Sequence, residues 1–175
     1  MLCYHGSDMI VDNPKILEAN RPLDFGGGFY VTTNKTQAIN WSLKVAYRNN
    51  SKSQYINFYE FDYENASKEL IIISFDSADE RWLNFICDNR NGKYTGAYDI
   101  VIGPVADDRV YRVVVEYENG DIDKDIALKK LKTEKLCDQI LFHTSDSLKF
   151  LKFITVEVIN NEWTQLWNSF IHYNI

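Results

Sequence analysis

Apolar and polar positions alternate along this chain in short blocks, and each block predicts an element. Leu2 to His5 reads as a strand that runs straight into Gly6-Ser7, and residues 8–24 are polar and irregular. Gly26-Gly27-Gly28 predicts a flexible hinge just before an apolar strand, Phe29 to Thr32. Thr33 or Asn34 is placed to cap a helix that Asn49-Asn50-Ser51 stops after Arg48. The apolar positions Ala38, Trp41 and Val45, with Ile39, Leu43 and Ala46 beside them, have helical spacing. Gln54 to Asp62 alternates as a half-buried strand does, and Leu70 to Phe75 predicts a strand buried on both faces.

Ser77-Ala78-Asp79-Glu80 has the form of a capping box, opening a helix to Cys87. Tyr98 to Gly103 and Arg109 to Tyr117 read as strands on either side of Pro104-Val105-Ala106-Asp107-Asp108. Asp123 to Leu136 predicts a helix, Gln139 to His143 a strand, Ser145 to Leu151 a short helix and Phe153 to Val158 a final strand. Trp163, Leu166, Trp167, Phe170 and Ile171 then recur at i, i+3, i+4, i+7 and i+8, a helix stripe that belongs in a core or, if exposed, in a docking surface. No repeat or Pro/Gly/Ser linker divides the chain, so residues 1–175 read as one domain. Uneven helices among strands that look antiparallel make it α+β.

Composition narrows the class. The chain is 45% apolar and 25% charged, the profile of a globular protein, and is rich in aromatics with 11 Tyr, 10 Phe and 4 Trp. Its net charge of −6 argues against nucleic acid as a standing partner, because phosphate neutralisation needs a basic field. The first residues lack the pattern of a signal peptide, and the longest apolar run, Leu70 to Ile73, is far short of a membrane span. Cys3, Cys87 and Cys137 are odd in number, widely spaced and without metal-ligand spacing, which fits reduced thiols in a cytoplasm and no bound metal.

Three segments combine residues that packing alone does not require. Tyr4-His5-Gly6-Ser7 puts a histidine, a glycine and a hydroxyl at the end of a strand. Phe25-Gly26-Gly27-Gly28-Phe29-Tyr30 carries three glycines into an aromatic strand, without the spacing of a dinucleotide-binding fingerprint or a P-loop. Cys137-Asp138-Gln139-Ile140-Leu141-Phe142-His143 places the amide of Gln139 at the start of a strand, among apolar neighbours.

Taken in order, these segments resemble the ADP-ribosyltransferase superfamily, in particular its diphtheria-toxin and poly(ADP-ribose) polymerase-like branch. His5-Gly6-Ser7 matches that branch's His-Gly-Ser triplet, and Gly28-Phe29-Tyr30 its Gly-x-Tyr strand. Trp41 matches an aromatic eleven residues further on, and Gln139 stands where the branch commonly has Glu. Asp24-Phe25-Gly26 leading into Gly28-Phe29-Tyr30, with Ala38 and Trp41 to follow, is similar to a small bacterial family, DUF3990. The resemblance implies a split antiparallel sheet core with peripheral helices, and NAD+ as substrate without a metal. It also implies a toxin with a small antitoxin partner.

On that resemblance, His5, Tyr30 and Gln139 are the catalytic positions, and His5, Gly6, Ser7, Arg21, Gly28, Tyr30 and Trp41 bind NAD+. Nicotinamide in NAD+ is a flat cation, so Tyr30 and Trp41 suit stacking and cation–π attraction. The backbone of Gly6 and the hydroxyl of Ser7 suit its carboxamide, His5 the adenosine ribose and Arg21 the pyrophosphate. Gln139 keeps the hydrogen bond of a Glu but brings no charge, which points to single transfer rather than polymer growth. The acceptor is an unidentified macromolecule, nucleic acid included. An NAD glycohydrolase using water, or an NAD- or ADP-ribose-binding module without turnover, uses the same residues.

Overall fold

The computed structural model describes residues 1–16, 23–106, 108–132 and 136–159. Within them the chain is mixed α+β, with two sheets and five α-helices that gather into two compact units. One unit takes residues 1–13, 31–61 and the described chain from 151 onward; the other takes 14–30 and 62–150. The stripe from Trp163 to Ile171 lies outside the described residues. No helix among the described residues is long and apolar enough to cross a membrane.

The first unit is a three-stranded antiparallel sheet, β1 (Leu2–Ser7), β3 (Tyr55–Phe61) and β7 (Leu151–Val158), ordered β1-β3-β7, with helix α1 (Lys35–Arg48) against β1. Asn34 caps α1 by accepting a bond from the Gln37 N–H at 3.1 Å, which decides between the two candidates, Thr33 and Asn34, that the sequence offers. Alternate residues of β1 serve different faces. Tyr4 and Gly6 share a face with their partners Phe58 and Ile56 and meet Ala38 of α1. Cys3, His5 and Ser7 share the other face with Asn57 and Tyr59. There Asn57 fastens the chain beyond β1, accepting from Val11 N–H at 2.8 Å and donating to His5 and Met9 carbonyls, while the Tyr59 hydroxyl donates to the Val11 carbonyl.

The second unit carries a four-stranded sheet ordered β2-β6-β5-β4, from β2 (Phe29–Val31), β6 (Asp138–Phe142), β5 (Ile100–Pro104) and β4 (Ile72–Ser74). Four helices accompany it: α2 (Tyr63–Glu69), α3 (Glu80–Arg90), α4 (Asp108–Glu118) and α5 (Lys124–Leu131). Its core packs Phe25, Trp82, Leu83, Val101, Val114 and Leu141, all but sealed from solvent.

Several expectations are corrected here. Arg109 to Tyr117 is the helix α4 rather than a strand. Val110, Val113, Val114 and Tyr117 recur at i, i+3, i+4 and i+7 and pack on the core. Valine costs at most about 0.7 kcal/mol in a helix, whereas burying one contributes about 1.5–3 kcal/mol, so packing outweighs strand propensity. The strand expected at Leu70 to Phe75 shrinks to three residues at a sheet edge, none of them buried and with Ile71 54% exposed before them. It pairs in parallel with β5, so the second sheet is not wholly antiparallel. The cap of α3 is Asp79, accepting from the Trp82 N–H at 2.9 Å, not Ser77. Helix α2 was not anticipated, although Asp62 caps it and Glu64 pairs with Lys68 one turn on.

If Asp79 is the working cap, Asp79→Ala lowers unfolding stability by about 0.5–2 kcal/mol in urea titration. Ser77→Ala leaves it unchanged, and equal losses for the two variants contradict this assignment.

Candidate functional site

The glycine-rich segment is a fastened turn, not the flexible hinge that three glycines suggest. Nε and Nη2 of Arg90, the last residue of α3, both bond Asp24 Oδ1, Nε at 3.0 Å, and the pair is largely buried. The same guanidinium lies 4.5 Å from the Tyr111 ring centre. Phe25 is wholly buried, and its carbonyl accepts from the Tyr98 hydroxyl at 2.7 Å. The Tyr30 hydroxyl donates to the Gly26 carbonyl at 2.7 Å and accepts from the Phe25 N–H. His143 Nδ1 bonds the Gly27 carbonyl at 2.7 Å. Gly28 has φ +146°, and a Cβ there would lie 2.3 Å from the Phe142 carbonyl oxygen, so only glycine lets the turn reach β6.

Strand β6 starts beside its neighbour β5, with Gln139 opposite Gly103 in the antiparallel register. Gln139 is 8% exposed, and its Nε2 is buried with no hydrogen-bond partner among the described residues. An unsatisfied buried donor costs about 1–3 kcal/mol, so an orphaned amide in a strand is unusual. Arg90 Nη1 is orphaned in the same way.

In the first unit, His5 is half-buried on β1 and Ser7 is 7% exposed, with its Oγ accepting from the Met9 N–H at 3.3 Å. Gly6 has a structural reason to be glycine. A Cβ there would lie 1.9 Å from the Ala38 carbonyl oxygen, so its missing side chain is what admits α1. Trp41 was expected among the apolar positions of α1 but is 43% exposed, while Ala38, Ser42, Leu43 and Ala46 take the buried face. The Arg48 guanidinium sits 4.9 Å from its ring centre.

Of the sequence-predicted site residues, β1 brings His5, Gly6 and Ser7 together, and α1, which carries Trp41, packs over Gly6. In the second unit, Gly28 and Tyr30 lie on the turn and strand beside β6, the strand that carries Gln139. Arg21 lies outside the described residues. Arg90, Tyr98 and His143 are not among the sequence-predicted site residues. They sit 66, 73 and 116 residues from the turn atoms that they hold, so no local pattern points to them. No group of three His, Cys, Asp or Glu able to hold a metal occurs among the described residues. A cavity of about 450 Å³ in the second unit, bordered by Ala78, Pro104, Leu128 and Leu131, includes none of the predicted site residues.

Burial, with Asp24 nearby, raises the Tyr30 phenol well above its ordinary range, and burial raises Tyr98 to about 12. An acid whose folded pKa is raised stabilises the fold below its unfolded value, near 10 for tyrosine, and that stability is lost as pH rises beyond it. Urea stability therefore falls above about pH 10, and Tyr30→Phe blunts that fall. At neutral pH the same variant costs about 1–3 kcal/mol, because the Gly26 carbonyl and Phe25 N–H lose their partner. A neutral-pH stability equal to the parent's contradicts the fastening role of this hydroxyl.

Comparison with known proteins finds no match among curated proteins and none among solved structures. A family model described as "Protein of unknown function (DUF3990)" matches residues 1–153, which takes in β1 with His5-Gly6-Ser7, the fastened turn with Tyr30, and β6 with Gln139. The chain belongs to the DUF3990 family.

Proposed function

We propose that this protein is a mono-ADP-ribosyltransferase that cleaves NAD+ and transfers ADP-ribose to a macromolecular acceptor. In this reading it acts in a bacterial cytoplasm as a toxin held by a small antitoxin. The observation that carries the reading is the orphaned Nε2 of Gln139. A buried amide donor without a partner is an expense that packing does not explain, and a ribose hydroxyl oxygen is an acceptor of the right kind for it. Two further facts support the reading. Gly28-Phe29-Tyr30 runs beside the strand that carries Gln139, and three widely spaced cysteines, odd in number, fit a reducing compartment.

Each residue then has a task. Tyr30 and Trp41 offer aromatic faces to the nicotinamide cation, and His5 bonds the adenosine ribose. The Gly6 backbone and Ser7 hydroxyl read the carboxamide, Gly28 admits the strand carrying Tyr30, and Arg21 meets the pyrophosphate. As the glycosidic bond breaks, positive charge grows on the ribose. A Glu at position 139 would counter it through a charge-assisted bond of about 1.5–3 kcal/mol, against about 0.5–1.5 kcal/mol for a neutral bond. Gln139 thus favours slow, single transfer. The same lack of charge favours a second reading, an NAD- or ADP-ribose-binding module without turnover, while water as acceptor makes the site an NAD glycohydrolase.

Purified protein, NAD+ labelled on its adenosine portion and a bacterial lysate separate these readings. Labelled macromolecule means transfer, free nicotinamide with unlabelled macromolecule means hydrolysis, and calorimetric binding without nicotinamide release means a binding module. We expect transfer. His5→Ala and Tyr30→Leu lose NAD+ binding, whereas Tyr30→Phe, which keeps the ring face, retains it. Gln139→Glu raises nicotinamide release about tenfold for each 1.4 kcal/mol of charge stabilisation restored. A parent that neither binds nor cleaves NAD+ ends the proposal.

A further inference from the structure

We propose that His143 is the general base of the transfer step, a role that rests on the NAD+-cleaving reading above. A backbone carbonyl can only accept, so the 2.7 Å contact with Gly27 means that His143 carries a proton on Nδ1. In the neutral ring this leaves the lone pair on Nε2, the arrangement by which a backbone carbonyl prepares an imidazole to take a proton. The ring is held in place. Tyr98 packs on it with centroids 4.6 Å apart, and Tyr98 is itself tied to the Phe25 carbonyl. The His143 N–H bonds the Asp99 carbonyl at 2.8 Å. Nε2 makes no hydrogen bond among the described residues, and the residue is half-buried rather than sealed in the core.

Position links this imidazole to the reaction. Tyr30 and His143 hang on consecutive carbonyls of one turn, Gly26 and Gly27. The nearby carboxylates are already engaged. Asp24 is paired with Arg90, while Asp99 accepts from Thr144 Oγ1 at 2.8 Å through Oδ1 and from the Ile71 N–H at 2.9 Å through Oδ2. Gln139 is an amide and takes no proton. The acceptor's hydroxyl oxygen bonds to C1′ of the nicotinamide ribose, and the C1′–N bond breaks with its electron pair going to the now neutral nicotinamide. The hydroxyl proton passes to Nε2, which later returns it to solvent.

Asparagine is the decisive substitution, because its amide N–H can replace Nδ1–H on the Gly27 carbonyl while offering no basic nitrogen. Nicotinamide release, NAD+ affinity and Tm are compared for the parent, His143→Asn and His143→Ala. We expect His143→Asn to keep the parent's Tm and NAD+ affinity while turnover falls about 100-fold or more. His143→Ala falls as far and recovers in part with added imidazole. A His143→Asn variant that turns over like the parent, or one that loses NAD+ affinity, overturns the assignment and leaves the histidine a structural clip. A parent that releases no nicotinamide overturns the NAD+-cleaving reading itself, and the base with it.

Discussion

Segment 24–28 is the constraint on which the second unit's candidate chemistry depends. Three glycines in a row carry the largest conformational entropy that a chain offers, and ordering them costs about 1–2 kcal/mol per residue. The structure meets that cost by fastening the segment residue by residue. Asp24 is held by Arg90, the Phe25 carbonyl by Tyr98, the Gly26 carbonyl by Tyr30 and the Gly27 carbonyl by His143. Gly28 then passes close enough to β6 that any side chain would collide with the Phe142 backbone. Tyr30 thus helps to build the turn that delivers it.

Polar groups in this unit are distributed unevenly. The Phe25, Gly26 and Gly27 carbonyls are satisfied, yet Nε2 of Gln139 and Nη1 of Arg90 are buried without partners among the described residues. Buried polar atoms are almost always paired, so orphans mark either a tolerated cost or an absent partner. An uncharged donor at position 139 also separates two tasks that a single carboxylate can combine, holding a ribose and removing a proton. In the proposed reaction, the half-buried imidazole anchored through Nδ1 takes the second task.

In the first unit the histidine-glycine-serine triplet has a double logic. Gly6 is required because α1 crosses β1 at Ala38 and Ser42, a contact that leaves no volume for a methyl group. His5 and Ser7 face the other way, alongside Asn57, which ties the following loop to the sheet. Alternation on one strand therefore assigns packing to Gly6 and leaves the polar side chains of its two neighbours for other contacts.

What the sequence determined by itself was local. Helix α1 with its cap at Thr33 or Asn34, the α5 segment after Asp123, strands β3, β6 and β7 and the α+β class were legible, because each rests on neighbours a few residues away. Tertiary structure decided the rest. It turned a valine-rich stretch into α4, since the face of Val110, Val113, Val114 and Tyr117 meets a core that the stretch itself does not contain. It reduced Leu70 to Phe75 to a short edge strand with a single neighbour, and left Trp41 exposed because small residues on α1 take the face against β1. It also recruited Arg90, Tyr98 and His143 to the glycine turn. A hydrogen bond acts over about 3 Å of space, whatever the length of chain between its partners, so no local pattern announces it.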